Sequence, residues 1–472
     1  MDTTKAPSPG VESLRRRQVR QFLGRFAQTG TQALGSLFDS VQLENLIRLH
    51  STHQRERIYP PMVTLSLFLE QVLGADHSCQ DAVARGLSSR VAQDLSVSSL
   101  NTGPYCKARQ RLSSALLVEL CKTLGQRICQ TQPHPWHWRG REVKLIDGTT
   151  VSMPDTALNQ ASYPQSTLQK AGLGFPVMRI VGIISLGCGA VLDWVQGACS
   201  GKLSGETAML RRLDAALHPG DIVLMDRYYT GYFTVARLLA QGVDFVSRQH
   251  QLRHTDFAQG QRLGKGDHVA LWSRPVRPKW MTPEEYEATP LNLQVRETRV
   301  GEWTVISSLK DAKAVSRQDL NELYCWRWHV ELDLRAIKAV MQMDVLRCKT
   351  PAMVIKEVAA HLLAYNLVRS VMAQAAYRVG CLPRQLSFKG ALQQLRAFEE
   401  QLRHGAYTRT TWLCEVLIAG VGQLKLQHRP GRVEPRAIKR RSKNLAFLTQ
   451  PRGVLKAELQ ALRERKMEGV WA

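Results

Sequence analysis

Acidic residues are scarce in this 472-residue chain, where 40 Asp and Glu face 64 Lys and Arg, for a formal charge of +24. A surplus that large implies a polyanionic partner, and nucleic acid is the usual one; a ribosomal or membrane-surface role fits the same charge. The ten cysteines include no C-x-x-C pair, so zinc-ribbon and thioredoxin-like chemistry lack their ligands. Scattered single cysteines suit a reducing cytosol, where they serve as small buried hydrophobes. The opening stretch, MDTTKAPSPGVESLRRR, has no apolar signal core. The longest apolar run, 180–192, is too short to span a bilayer. The expectation is a soluble cytoplasmic protein with no membrane partner, long enough for two or three domains.

Residues 1–138 read as helices. Val19, Phe22, Leu23 and Phe26 fall at i, i+3, i+4 and i+7 with Arg16, Arg17 and Arg20 among them, an amphipathic pattern with a basic face. That face is either simply solvated or a DNA contact, and the overall charge favours DNA. Further helices are expected near 41–50, 61–73, 79–96 and 103–130. The periodicity then changes. VKLIDGTTV is a short apolar run ending in Asp147, and the hairpin FPVMRIVGIISLG / AVLDWVQGACS follows it. SGETAMLRRLDAAL places Ser204 to cap a helix, and IVLM leads into Asp226. A helix at 231–241 and the strand VDFVSR complete an α/β core over 139–345, with acids where open α/β sheets put their sites. Polar, strand-like residues at about 250–300 interrupt it as a β-rich insertion. A long helix is expected at 316–342, and more helices at 351–380 and 384–403. The tail RPGRVEPRAIKRRSK, containing Lys439, Arg440 and Arg441, is either a flexible solvated tail or a phosphate-binding arm, the arm being favoured, and ends a helical region, 346–472.

Asp147 and Asp226 close buried strands, an expensive place for a carboxylate without a partner. Side by side they would repel and take up protons unless a cation intervened. Two magnesium ions would resolve the conflict and could clamp both oxygens of a phosphoryl displacement. A helix cap or turn is the common role of a lone strand-end Asp, and Asp155 is the nearest substitute; Asp193, Asp214 and Asp221 sit in a hairpin, a helix and a turn. Tyr324, Glu331 and Lys338 are spaced by seven, with Arg327 on the same helical stripe. An Arg327–Glu331 ion pair explains two of the four. A DNA end beside a metal site would use all of them.

With these residues in order, the chain resembles the DDE transposases of insertion-sequence family four. Tyr324-x2-Arg327-x3-Glu331-x6-Lys338 matches that family's Y-R-E-K signature, and LIDGTT and VLMDRYYTGYF look like its two aspartate motifs. The resemblance implies an α/β ribonuclease H-like catalytic core with a β-rich insertion, flanked by an all-α N-terminal DNA-binding region and a helical C-terminal region. It implies Asp147, Asp226 and Glu331 as catalytic ligands of two Mg2+ ions, for which Mn2+ substitutes. Further implications are phosphate contacts from Tyr324, Arg327 and Lys338, double-stranded DNA partners at transposon ends and target, and a homodimer in the synaptic complex. Location would be the bacterial cytoplasm, at the nucleoid when DNA-bound. Trp303 falls where some relatives stack a flipped base, the alternative being a core Trp, and Trp328 is expected to pack its helix on the sheet. A catalytically silent DNA-binding derivative and a stand-alone nuclease are the alternatives, and the full set of acids and companions argues against the first.

Overall fold

The computed structural model describes residues 58–92, 94–201, 204–404, 407–427 and 447–468, with 45, 46 and 48–50 ahead of them. The basic positions Arg16, Arg17, Arg20, Lys439, Arg440 and Arg441 lie outside the described residues. Residues 45, 46 and 48–50 are helical, and from residue 58 onward the described chain runs through α1 (Pro61–Leu73), α2 (Cys79–Val91), α3 (Gly103–Arg111) and α4 (Ser114–Gln130). The expected helix over 103–130 is two helices, because Ser113 is extended and its hydroxyl accepts the Leu116 N–H, starting α4 afresh. The helix expected over 79–96 stops at Val91.

The next elements alternate. They are β1 (Val143–Ser152), α5 (Ala157–Ser162), β2 (Val177–Ser185), β3 (Val191–Ala198), α6 (Glu206–Leu210), β4 (Ile222–Met225), α7 (Tyr232–Ala240) and β5 (Asp244–Arg248). After them run β6 (Gln261–Gly264), β7 (Asp267–Ser273), α8 (Pro283–Glu287), β8 (Asn292–Val300) and β9 (Trp303–Ser307). Among the described residues, the nine strands form one mixed sheet in the order β3-β2-β1-β4-β5-β9-β8-β7-β6. β4 lies parallel to β1 and β5 parallel to β4, while β2, β3 and β9 are antiparallel to their neighbours. The strands of the 250–300 stretch extend this sheet beyond β9. Ser204 is not the cap of α6: Gly205 holds that place, and the Ser204 hydroxyl donates back to the Gly201 carbonyl.

Side chains alternate between two cores, as pleating requires. Leu145, Ile180, Leu224, Val246 and Val305 enter one with residues of α1 and α4. Ile146, Val181, Val223, Met225, Phe245 and Ile306 enter the other with α6 and α7. Each large aliphatic side chain so buried contributes about 1.5–3 kcal/mol. The chain finishes with α9 (Arg317–Cys325), α10 (Trp328–Arg335), α11 (Pro351–Arg378), α12 (Phe388–His404), α13 (Tyr407–Gln423) and α14 (Arg452–Glu468). α11 is buried over most of its length because it threads between α4 and later helices. Its Asn366 accepts the Val191 N–H at 2.8 Å and donates to the Val191 and Cys121 carbonyls at 2.8 and 3.1 Å. One amide thus fastens the start of edge strand β3 to α4. Gly125 makes this possible, since a Cβ there would run into the Val191 carbonyl.

The helix expected over 316–342 is also broken. α9 starts on a capping box in which Ser316 accepts the Asp319 N–H and Asp319 accepts the Ser316 N–H. At 326–330 the bonds tighten to i−3: Arg327 N–H to the Tyr324 carbonyl, His329 to Trp326 and Val330 to Arg327. At Ala336–Val340 the helix widens into a π-type turn.

Candidate active site

The last matched pair between parallel β1 and β4 is Ile146 with Met225. The next residue on each is an aspartate, so Asp147 and Asp226 follow directly on the last registered pair of the two central strands. Asp147 is not at a strand end, as expected, but in mid-strand, because β2 pairs with β1 all the way to Ser152. Asp226 remains extended beyond β4, and its Oδ1 accepts the Arg227 N–H at 2.6 Å, capping the turn Arg227–Tyr229. Leu145 and Leu224 lie two residues earlier in the core that also holds Leu320, Leu323 and Val330. Strand alternation therefore aims both aspartates toward α9 and α10.

The short 3₁₀-like turn at 326–330 sets the geometry of the third acid. It brings Arg327 beneath Tyr324, since side chains three apart eclipse in such a turn. Arg327 Nη1 stands 3.5 Å from Asp147 Oδ2, and its Nη2 donates to Glu331 Oε1 at 2.9 Å. One guanidinium therefore bridges a strand acid and a helix acid. Burial alone would lower the Arg327 pKa, but Tyr324, Glu331, Asp147 and Asp226 around it hold it up. Asp147 rises to about 6, chiefly through burial, with the charges of Glu206 and Asp226 adding to the rise and the Gly148 N–H and Arg327 opposing it. Burial also raises the Tyr324 phenol, which faces Arg327 and Asp226.

Tyr324, Arg327 and Glu331 are thus brought together with both aspartates. Lys338, half-buried in the wide turn, takes no part in these contacts, because the widening changes the direction in which it leaves the axis. Trp303 is not core: it is 41% exposed at the start of β9, with the Arg248 guanidinium 5.1 Å from its ring centre. Trp328 does not pack α10 on the sheet either, being 45% exposed. Val330 and Asp333 are the buried positions of that helix. The rival aspartates all have structural partners. Asp193 pairs with Lys122 at 2.7 Å, Asp214 with Arg237 at 3.3 Å and Asp221 with buried Lys144 at 2.6 Å. Asp155 accepts from the Gln160 amide at 2.8 Å in its loop.

One acid escapes the sequence reading. Glu206, the first residue of α6, accepts the Tyr229 hydroxyl at 3.0 Å and lies against Gly148, next to Asp147. Its only sequence signals are a glycine after Asp147 and an acid opening the first helix after the hairpin. Among the described residues no group of three or more Asp, Glu, His or Cys is closed up tightly enough to hold a metal ion. Arg327 stands between Asp147 and Glu331, where a cation would. The donors are all carboxylate oxygens, a set that fits a hard divalent ion such as magnesium.

Residues 138–367, which include all three acids, match the family described as Transposase DDE domain. Over 345 residues, 71% of this chain and 76% of the relative, the sequence is 30% identical to the transposase InsG for insertion sequence element IS4 of Escherichia coli strain K12. The chain belongs to that family of DDE transposases. It is also similar, with a TM-score of 0.43 and 10% identity over 92% of this chain and 90% of the other, to the piggyBac transposase in a synaptic complex with hairpin DNA. No helix among the described residues is long and apolar enough to cross a membrane.

Proposed function

We propose that this protein binds the terminal inverted repeats of an insertion sequence and moves it by cut-and-paste transposition, on a ribonuclease H-like core. The observation that carries the reading is the pair Asp147 and Asp226, each one residue past the last registered pair of adjacent parallel strands, with Glu331 tied to Asp147 through Arg327. The antiparallel β1–β3 unit continued by parallel β4 and β5 supports the core assignment. The proposal divides the chain into a DNA-binding region at 1–138, the catalytic core at 139–345 with its insertion at about 250–300, and a helical region at 346–472.

Asp147, Asp226 and Glu331 would hold the divalent ions, Mg2+ or Mn2+. When bound, such ions activate an attacking oxygen and neutralise charge at the phosphate. Arg327 exchanges its carboxylate partners for a phosphate of the DNA end, for which its planar fork is suited. Tyr324 and Lys338 add donors to neighbouring phosphates, and exposed Trp303 offers a face for an unpaired base. Water cuts one strand, leaving a 3′-hydroxyl and a 5′-phosphate. The 3′-hydroxyl attacks the opposite strand to form a hairpin, which water reopens, and then attacks target DNA. Two copies pair the two ends, and the work is done at the bacterial nucleoid.

The test is incubation of full-length protein with a duplex carrying the element's terminal repeats, with and without Mg2+. Metal-dependent nicks and hairpins are expected, both lost in Glu331→Gln while repeat binding survives. Binding without cleavage in either metal would identify a silent derivative instead, and full cleavage by the variant would remove Glu331 from the site.

A further inference from the structure

Gly148 follows Asp147 in β1 and has no positive φ, so its backbone does not require glycine. What the missing side chain provides is room: a Cβ at 148 would come within 2.5 Å of the Glu206 carboxyl carbon and Oε1. Alternation aims position 148 away from Asp147, toward the face occupied by α6. Glu206 therefore reaches the strand from the face opposite Glu331. Its Oε2 is fixed by the hydroxyl of Tyr229, a fully buried residue three positions after Asp226. Beyond burial, which comes first, the charges of Glu206, Asp147 and Asp226 also act to raise the pKa of this phenol. Arg179 stands 3.9 Å from Oε1, and the Glu206 side chain is 36% exposed. An acid that merely opened a five-residue helix would need neither a glycine cut out for it nor a buried phenol to hold it.

We propose that Glu206 is a fourth acid of the active site, a positioning residue whose carboxylate, braced by Tyr229 against Gly148, strengthens the hold of Asp147 and Asp226 on divalent ions. The inference rests on the transposase reading above. Arg327 neutralises the Asp147–Glu331 side, and Glu206, only loosely paired with Arg179 at 3.9 Å, adds negative charge on the other side, so the site attracts a cation even before DNA draws Arg327 away.

The test measures Mn2+ binding to the full chain by calorimetry without DNA, and the Mg2+ concentration needed for half-maximal cleavage of the repeat duplex. Glu206→Gln is expected to weaken Mn2+ binding about 10-fold, the size typical of lost outer support at a metal site. Its cleavage should recover toward wild type as Mg2+ is raised, and Glu206→Asp should restore part of the affinity. Tyr229→Phe, which removes only the hydroxyl, should move the metal requirement the same way by less. Gly148→Ala, which pushes the carboxylate aside, should resemble Glu206→Gln. If Glu206→Gln melts too low to assay, Tyr229→Phe decides. Asp226→Asn is the control. If it weakens Mn2+ binding while Glu206→Gln and Tyr229→Phe do not, the role of Glu206 falls and the transposase reading stands. If Asp226→Asn has no effect either, the site reading itself fails.

Discussion

Arg327 links two acids of the candidate site. A guanidinium keeps its proton under all working conditions, so it is a permanent cation between Asp147 and Glu331, acids that would otherwise repel across the site. Any metal ion entering there competes with it. Arg327→Gln should therefore melt at lower temperature than the wild type in EDTA, with Asp147 and Glu331 left uncompensated. The same variant should show the larger rise in Tm on adding Mn2+, read by thermal scanning of the two proteins side by side. Equal rises would mean that Arg327 and the metal do not share a place. Glu331 and Asp333 differ by two positions on α10, yet their fates are opposite. Glu331 is partly open at the site, while Asp333 is fully buried, accepting from Arg369, from Tyr365 at 3.1 Å and from Arg384 at 2.8 and 3.1 Å.

That opposition works at the level of the element, because two residues on a helix point roughly 200° apart. The inner carboxylate anchors α10 to α11 and to the turn Pro383–Gln385, and the anchor holds the outer carboxylate over the strand aspartates. Asp333→Ala should cost about 3–5 kcal/mol in urea unfolding, since it leaves Arg369 and Arg384 buried without their counter-charge. A cost below about 1 kcal/mol, the usual range for an exposed pair, would show that the network is not what seats the helix. The strands β4 and β5 and the hairpin β2–β3 were legible because apolar runs and turn glycines signal them locally. The end of β1 was not, because its length is set by β2, whose pairing carries the strand past Asp147 and Gly148. The break in the helix over 316–342 was equally hidden: neither Gly nor Pro marks it, and the tightening at 326–330 accompanies a packing face made by Val330 and Asp333 instead of Trp328. The proximity of Tyr324, Arg327 and Glu331 was readable from spacing, since the three lie within two turns. Glu206 was not, because its partners Gly148 and Tyr229 come from other elements.

For the whole molecule, two charge effects act in different pH and salt ranges. His77 and His361 are buried with ring centres 5.7 Å apart, where the loop after α1 meets α11. Burial, with His361, Arg347 and Arg396 nearby, pushes His77 down to about 4, while the Gly74 carbonyl opposes the shift. A depressed histidine is neutral in the fold and takes up its proton more readily when unfolded. Its contribution to stability is therefore complete above about pH 6.5, the ordinary histidine value, and is lost as pH falls toward 4. Tm should decline over that window, and less steeply in His77→Gln; parallel curves for the two proteins would exclude His77 as a source. The second effect is the surplus of +24 charges, which one buried ion pair after another leaves untouched. Lys144–Asp221 and Arg296–Asp267 are balanced one to one inside the fold, and the Asp333 network, with Arg369 and Arg384 on one carboxylate, takes up a single surplus charge, so nearly all of the excess is carried by the other basic residues. On the proposed function those groups meet phosphates, and each phosphate neutralised releases counterions. Six to ten such contacts would weaken binding of the repeat duplex by about 10³–10⁵ between 50 and 200 mM salt. The slope of log affinity against log salt, measured by fluorescence anisotropy with the full chain, should be correspondingly steep. A nearly flat slope would mean that the positive charge serves something other than DNA, and the proposed end-binding role would fail with it.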